Sequence, residues 1–420
     1  MKIARTSFSE GLIWNYISIF FLAVGGMVFS FLIGFYYDAE TLGNFNLVYA
    51  YYIVFSQVGV MGSHMAVTKY VSEYSEDRKS VNIILSCGIL EVSIASIVLG
   101  ISIYLLYNFF LKDYLAEGLS DSIYPIILAL LFFAINKVIL GYLNGLSKMK
   151  EYAVFQSMRN IFIAMWIIIF AVLKLPGDKI TFCFAGAEIM IFILEVPLLF
   201  LREKFRVCIS FHWLKKIIVF GVHIMPANIV LELSTKVDIL CLSWILKNER
   251  IVGIYSFAAL FGEGFYQLFV VIRRSINPHI TQNYIKKELE QYYITSVKKV
   301  RSIGYMLGII FLVLIVLGYG VLCFLIGDIS YYKGMIPLVI IMAAIVCNMK
   351  SIVFGNILSQ TGFPTAESVN NVITVMANFI LNIVFISQWG MVGAALATGA
   401  SYFVFSINQR MMVKKYLQLH

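Results

Sequence analysis

Residues 122–145 read SIYPIILALLFFAINKVILGYLNG. At about 1.5 Å of rise per residue the stretch is long enough to cross a hydrocarbon core of roughly 30 Å. Its only charge is Lys137. A single segment at that depth satisfies its backbone N–H and C=O groups only by closing them into an α-helix. Working outward, comparable apolar runs cover 11–36, 42–66, 81–110, 155–174, 180–201, 217–245, 251–275, 302–326, 334–359, 366–388 and 391–411. The expected fold class is therefore an all-α polytopic membrane protein of about twelve transmembrane helices.

Composition agrees. The chain is 60% hydrophobic and 13% charged, with a mean hydropathy of +0.87, which excludes a soluble globular protein. The spans nearly exhaust the 420 residues, leaving no room for a separate soluble domain. Of the 32 Lys and Arg residues, 23 fall in one alternate set of connections, six in the other, and Lys137, Lys236 and Lys350 fall inside spans. This asymmetry predicts that the basic connections and both termini face the cytoplasm. The opposite connections are short and tend to be acidic, with Asp38, Glu40, Asp113, Glu117, Asp121, Asp178, Glu249 and Asp328. The net charge of +9 is spent beside span ends, so no nucleic-acid partner is expected and membrane lipid is. Lys2 and Arg5 precede a first run too long for a signal peptide, which reads as a retained span. The six cysteines are dispersed without metal-ligand spacing, so neither metal nor cofactor is expected.

Two basic connections are longer than the rest. Residues 202–216 carry Arg202, Lys204, Arg206, Lys215 and Lys216 and divide the spans six and six, so the expected halves are 1–208 and 209–420. Residues 278–299 place Ile285, Leu289 and Tyr292 at helical spacing between charges and predict an interfacial amphipathic helix. Asn136, Asn144, Leu146 and Ser147 recur at an offset of 212 as Asn348, Asn356, Leu358 and Ser359, the mark of a parallel repeat. Two such bundles facing one another across a central cleft are a common transporter plan. Gly25 and Gly26 in the first span and Pro226 in the seventh are expected points of bending.

The chain resembles the bacterial O-antigen and polysaccharide flippases of the multidrug/oligosaccharidyl-lipid/polysaccharide exporter superfamily. The resemblance covers nearly the whole length. It is carried by the six-plus-six arrangement, Gly43 at the start of the second span, the Gly141–Lys148 segment, the Gly362-Phe363-Pro364 turn and Gly393–Thr398 opening the last span. It implies translocation of an undecaprenyl-pyrophosphate-linked oligosaccharide from the inner to the outer leaflet of the bacterial cytoplasmic membrane, by alternating access and coupled to an ion gradient. It also implies a monomer with no enzymatic activity, and admits polysaccharide polymerase or chain-length machinery as partners.

Such a substrate needs cations for its pyrophosphate and a polar cleft for its sugar. Lys137 shares a helical face with Gly141, Asn144 and Lys148 and is the first candidate. Lys350 lies at similar depth near Asn348, and Arg159, Arg273 and Arg274 sit at basic span ends, where anchoring is the competing role. Lys236 has Glu232 four residues before it and Asp238 nearby; that cluster, together with Glu91, Glu188 and Glu263, supplies ion-coupling candidates. His64 and His223 are further groups able to switch charge near neutral pH. The alternative function is a proton- or sodium-coupled multidrug exporter, whose site would favour carboxylates and aromatics. An enzyme reading lacks both a large outer loop and a carboxylate motif on an inner one.

Overall fold

A computed structural model describes residues 8–111 and 122–418. The acidic connection holding Asp113, Glu117 and Asp121 lies outside them. Among the described residues the helices are α1 (Phe8–Tyr36), α2 (Ala39–Val60), α3 (Ser63–Glu73), α4 (Arg78–Leu106), α5 (Ile123–Gly145), α6 (Met149–Val172), α7 (Phe182–Pro197), α8 (Phe211–Leu246), α9 (Glu249–Ile285) and α10 (Leu289–Lys299). They continue as α11 (Tyr305–Ile326), α12 (Met335–Cys347), α13 (Met349–Val353), α14 (Ile357–Gln360) and α15 (Pro364–Leu417). No strand occurs among the described residues.

Among the described residues, nine helical segments are long and apolar enough to cross a membrane. The 54-residue α15 is two spans, because Gly390 (φ 56°, ψ −131°) interrupts it in a region open only to glycine. The α2–α3 pair, bent by 47°, is one more. With the 29-residue α1 the total reaches the expected twelve.

Contacts divide the chain into two compact units, residues 1–37 with 44–235, and residues 38–43 with 236–420. In the first, α5 is the central strut: it packs on α3, α4 and α7, while α1 packs on α6. Its span is 72% buried, against 11% for α8. In the second, α12 packs on α9, α11 and α15. Asp77 starts α4 by accepting hydrogen bonds from Lys79 N and Ser80 Oγ, and the Ser80 bond holds its carboxyl below the usual range. That cap is complete at neutral pH and is lost only as pH falls through the depressed value.

Several elements differ from expectation. The tenth span ends at Cys347 instead of running to 359: Asn348 caps it, its backbone N–H and its Nδ2 both donating to the Ala344 carbonyl at 3.0 and 2.9 Å, and the chain goes on as the short α13 and α14. The segment 278–299 is not one interfacial helix. α9 runs through Pro278 to Ile285, Lys287 turns left-handed (φ 61°), and α10 begins anew. Pro226 sits inside α8 without ending it.

Within the second unit, the chain at Gly43 meets α9 at Gly253. A Cβ on Gly43 would overlap the Glu249 carbonyl, and one on Gly253 would overlap that of Ala39. Both obstacles are backbone, which cannot swing aside. Gly253→Val is therefore expected to lower the thermal midpoint of the purified protein, at an overpacking cost of about 1–3 kcal/mol or more. A variant that elutes and melts like the wild type in fluorescence-detected chromatography would refute the close approach.

Candidate functional site

Three helices of the first unit enclose a cavity of about 370 Å³. α5 contributes Lys137, Leu140, Gly141 and Asn144; α3 contributes His64, Met65, Thr68 and Lys69; α6 contributes Tyr152, Gln156 and Arg159. In each set the members lie three or four residues apart or adjacent, so each helix turns one face to the space. The lining holds three basic side chains, Lys69, Lys137 and Arg159, and no carboxylate.

Arg159 is aimed from behind. Its Nε donates to Glu188 Oε1 at 2.5 Å and its Nη2 to Oε2 at 3.3 Å. Glu188 also accepts from Asn136 Nδ2 at 2.8 Å and from the Tyr52 hydroxyl at 3.1 Å. Its side chain is 2% exposed, so this carboxylate is buried but fully engaged. The guanidinium lies over the Phe133 ring, 4.6 Å from its centroid. Two of its five N–H donors are used on Glu188, leaving others for the cavity.

Lys137 makes no ion pair among the described residues; its ammonium stands 6.0 Å from the Phe133 centroid. Arg159, Glu232 and Glu188 are the charges acting on it. A cation in the most buried helix of the unit is tolerable where it faces a wet space. His64 Nδ1 has no hydrogen-bond partner, whereas the Thr68 hydroxyl is committed to the His64 and Gly141 carbonyls at 2.8 and 3.0 Å.

The remaining candidates lie elsewhere. Glu91, on α4, accepts from the Ser63 hydroxyl at the start of α3, and its other oxygen has no partner. In the second unit, Lys236 Nζ is 3.8 Å from Glu263 Oε1, a carboxylate supplied by α9. Asp238 accepts from the Tyr255 hydroxyl at 2.6 Å. Asn348 is consumed by the α12 kink, its Oδ1 accepting from Ser406 Oγ at 2.6 Å. Arg273 reaches the backbone at Gly355, and Arg274 is exposed on α9. Lys350 opens into a small pocket with Tyr293, Gln409 and Arg410.

Sequence spacing puts Lys137, Gly141 and Asn144 on one helical face, and all three line this cavity; it does not join Arg159, Lys69, Tyr152 or Gln156 to them. Lys69 follows the apolar run 42–66 by three residues. The break at Met61 and Gly62, both at positive φ (48° and 71°), lets α3 continue as a separate helix and carry Lys69 onto the cavity wall.

Residues 8–285 match the family described as polysaccharide biosynthesis protein. No curated protein matches the chain by sequence. Among solved structures, the lipid II flippase MurJ in an inward closed conformation aligns with a TM-score of 0.78 at 16% identity, covering 96% of this chain and 87% of that one. An inward-facing multidrug resistance transporter of the MATE family aligns at 0.75 and 13% identity, covering 97% and 99%. A transporter of the same superfamily from Pyrococcus furiosus, noted for the reversed polarity of its binding pocket, aligns at 0.56 and 12% identity, covering 96% and 95%. At these identities the likeness is one of fold.

Proposed function

The chain belongs to the polysaccharide biosynthesis protein family, and from that premise we propose that it is a flippase for an undecaprenyl-pyrophosphate-linked oligosaccharide. In this reading it carries the substrate from the inner to the outer leaflet of a bacterial cytoplasmic membrane by alternating access. The observation that carries the reading is the cavity of the first unit, with Lys69, Lys137 and Arg159 in its wall and no carboxylate in the lining, Glu188 standing behind Arg159. A pyrophosphate is the multiply charged anion such a wall favours, through charge-assisted hydrogen bonds from ammonium and guanidinium. Asn144, Gln156 and Tyr152 offer the amide and hydroxyl groups that a sugar exchanges for water. The same wall repels a cationic drug, which argues against the multidrug alternative.

Transport uphill needs coupling to a gradient, and Asp238, Glu263 and Lys236 form the cluster we assign to it, with Glu232 and Glu91 as further carboxylates. Glu188 is fully hydrogen-bonded, and we assign it to holding Arg159. The six-plus-six division at 1–208 and 209–420, cytoplasmic termini, and a monomer working beside polymerase or chain-length machinery complete the proposal.

The test is reconstitution. Proteoliposomes loaded with a fluorescent undecaprenyl-pyrophosphate-linked sugar should show protein-dependent movement of the label between leaflets, faster under an imposed proton or sodium gradient. A cationic dye should not move. Dye transport without lipid-linked sugar transport would reverse the assignment.

A further inference from the structure

The Lys350 pocket differs in kind from the cavity of the first unit and shares no residue with it. It lies where α10, α13 and the last turns of α15 meet, and is lined by Tyr293, Lys350, Ser351, Phe354, Gln409 and Arg410 among others, with no carboxylate in the lining. Its free volume of about 20 Å³ admits one water-sized group, such as a phosphate oxygen, and excludes a sugar ring. The floor is built. Tyr293 and Phe354 meet edge to face at 5.0 Å, and Gln409 Nε2 donates to the Phe354 carbonyl at 2.7 Å. The Lys350 ammonium stands over the Tyr293 ring at 5.1 Å from its centroid, and the charge of Arg410 also reaches that phenol.

A second feature runs along the outside of α15. Phe403, Ile407, Arg410 and Lys414, spaced four, three and four, occupy one face, and all are exposed, Phe403 by 46% and Ile407 by 59%. The apolar pair sits on the span side of Arg410, and Lys414 and Lys415 lie beyond it. An anionic head at Lys350 and Arg410 would place its tails against Phe403 and Ile407. A soluble anion would use the pocket and ignore the track.

We propose that this pocket binds the phosphate of an anionic glycerophospholipid resident in the leaflet on the side of the basic connections. α10 fits the role. It buries Leu289 and Tyr293 and ends in Lys298 and Lys299, the pattern of a helix suited to a headgroup layer. The lipid would brace α10 against α15 by bridging Tyr293, Lys350 and Arg410.

The experiment is native mass spectrometry of the delipidated full chain titrated with phosphatidylglycerol and, separately, phosphatidylcholine. Three proteins are compared: wild type, Lys350→Gln with Arg410→Gln, and Lys414→Gln with Lys415→Gln. The last loses the same charge from neighbouring positions outside the pocket. Losing two charge-assisted contacts should weaken phosphatidylglycerol binding at least about tenfold in the pocket variant, while the lysine-pair variant stays within about twofold. The single variant Arg410→Gln, at an exposed position, should show an intermediate loss even where the double variant folds poorly. Equal losses in both double variants, or equal binding of the two lipids, would mean a generic basic surface and overturn the proposal. Displacement of the lipid by millimolar inorganic phosphate would make the pocket a soluble-anion site. Stoichiometric displacement by undecaprenyl pyrophosphate would make it part of the transport route. Either result also overturns a resident lipid, whereas failure of the flippase reading alone leaves it standing.

Discussion

Lys137→Ala is expected to lower translocation of a lipid-pyrophosphate-linked sugar by about ten- to a hundredfold, the loss of one charge-assisted hydrogen bond worth about 1.5–3 kcal/mol. The reason is position. Lys137 lies on α5, the most buried span of its unit, yet its ammonium has no ion-pair partner among the described residues and faces a cavity of about 370 Å³. A cation kept there without a direct ion pair is costly to hold, and its removal should not destabilise the fold. Membrane abundance and melting midpoint should therefore match or exceed those of the wild type. Lys137→Arg should retain much of the rate, because it keeps the charge and adds donors. In cells the readout is surface polysaccharide; in proteoliposomes it is the initial rate of label movement. A wild-type rate in Lys137→Ala would remove the cavity from the substrate path, and loss of the protein itself would recast Lys137 as structural.

The parts legible in the sequence are those set by one helix at a time. Span number follows from bilayer thickness, which imposes a run length on each apolar stretch, so twelve spans could be counted before any contact was known. Helical periodicity likewise joined Lys137 to Gly141 and Asn144. What periodicity does not carry is which face meets which neighbour. The partner of Lys236 looked local, with Glu232 one turn away on the same helix, but the ion pair at 3.8 Å is to Glu263 on α9. Arg159 read as a span-end anchor, and its fixation by Glu188, Asn136 and Tyr52 draws on α2, α5 and α7. Breaks were the other blind spot. Asn348 looked like a polar residue lining a cleft, whereas its side chain competes for the Ala344 carbonyl and ends α12. That turn places Lys350 on α13 instead of on a continuous tenth span.

Glu188→Ala should be the most destabilising single substitution in the first unit, because it takes a carboxylate acceptor from three partners at once. Arg159 would keep its charge at a site where its side chain is 13% exposed, and Asn136 and Tyr52, both buried, would each lose an acceptor. Removing one member of a buried ion pair costs about 3–5 kcal/mol, since the remaining charge is desolvated without compensation. Glu188→Gln keeps an acceptor for Asn136 or Tyr52 and should cost less, but it frees Arg159 from its orientation. It should therefore impair transport more than it impairs folding. Arg159→Met combined with Glu188→Leu removes both charges and should be more stable than Glu188→Ala, with transport lost because a cavity cation is gone. Thermal midpoints of the three variants and wild type in detergent give the order, and the Arg159 and Glu188 single and double substitutions close a cycle whose coupling term should be large. Additivity across that cycle, or a Glu188→Ala protein that melts like the wild type, would mean the pair neither holds the unit together nor aims Arg159.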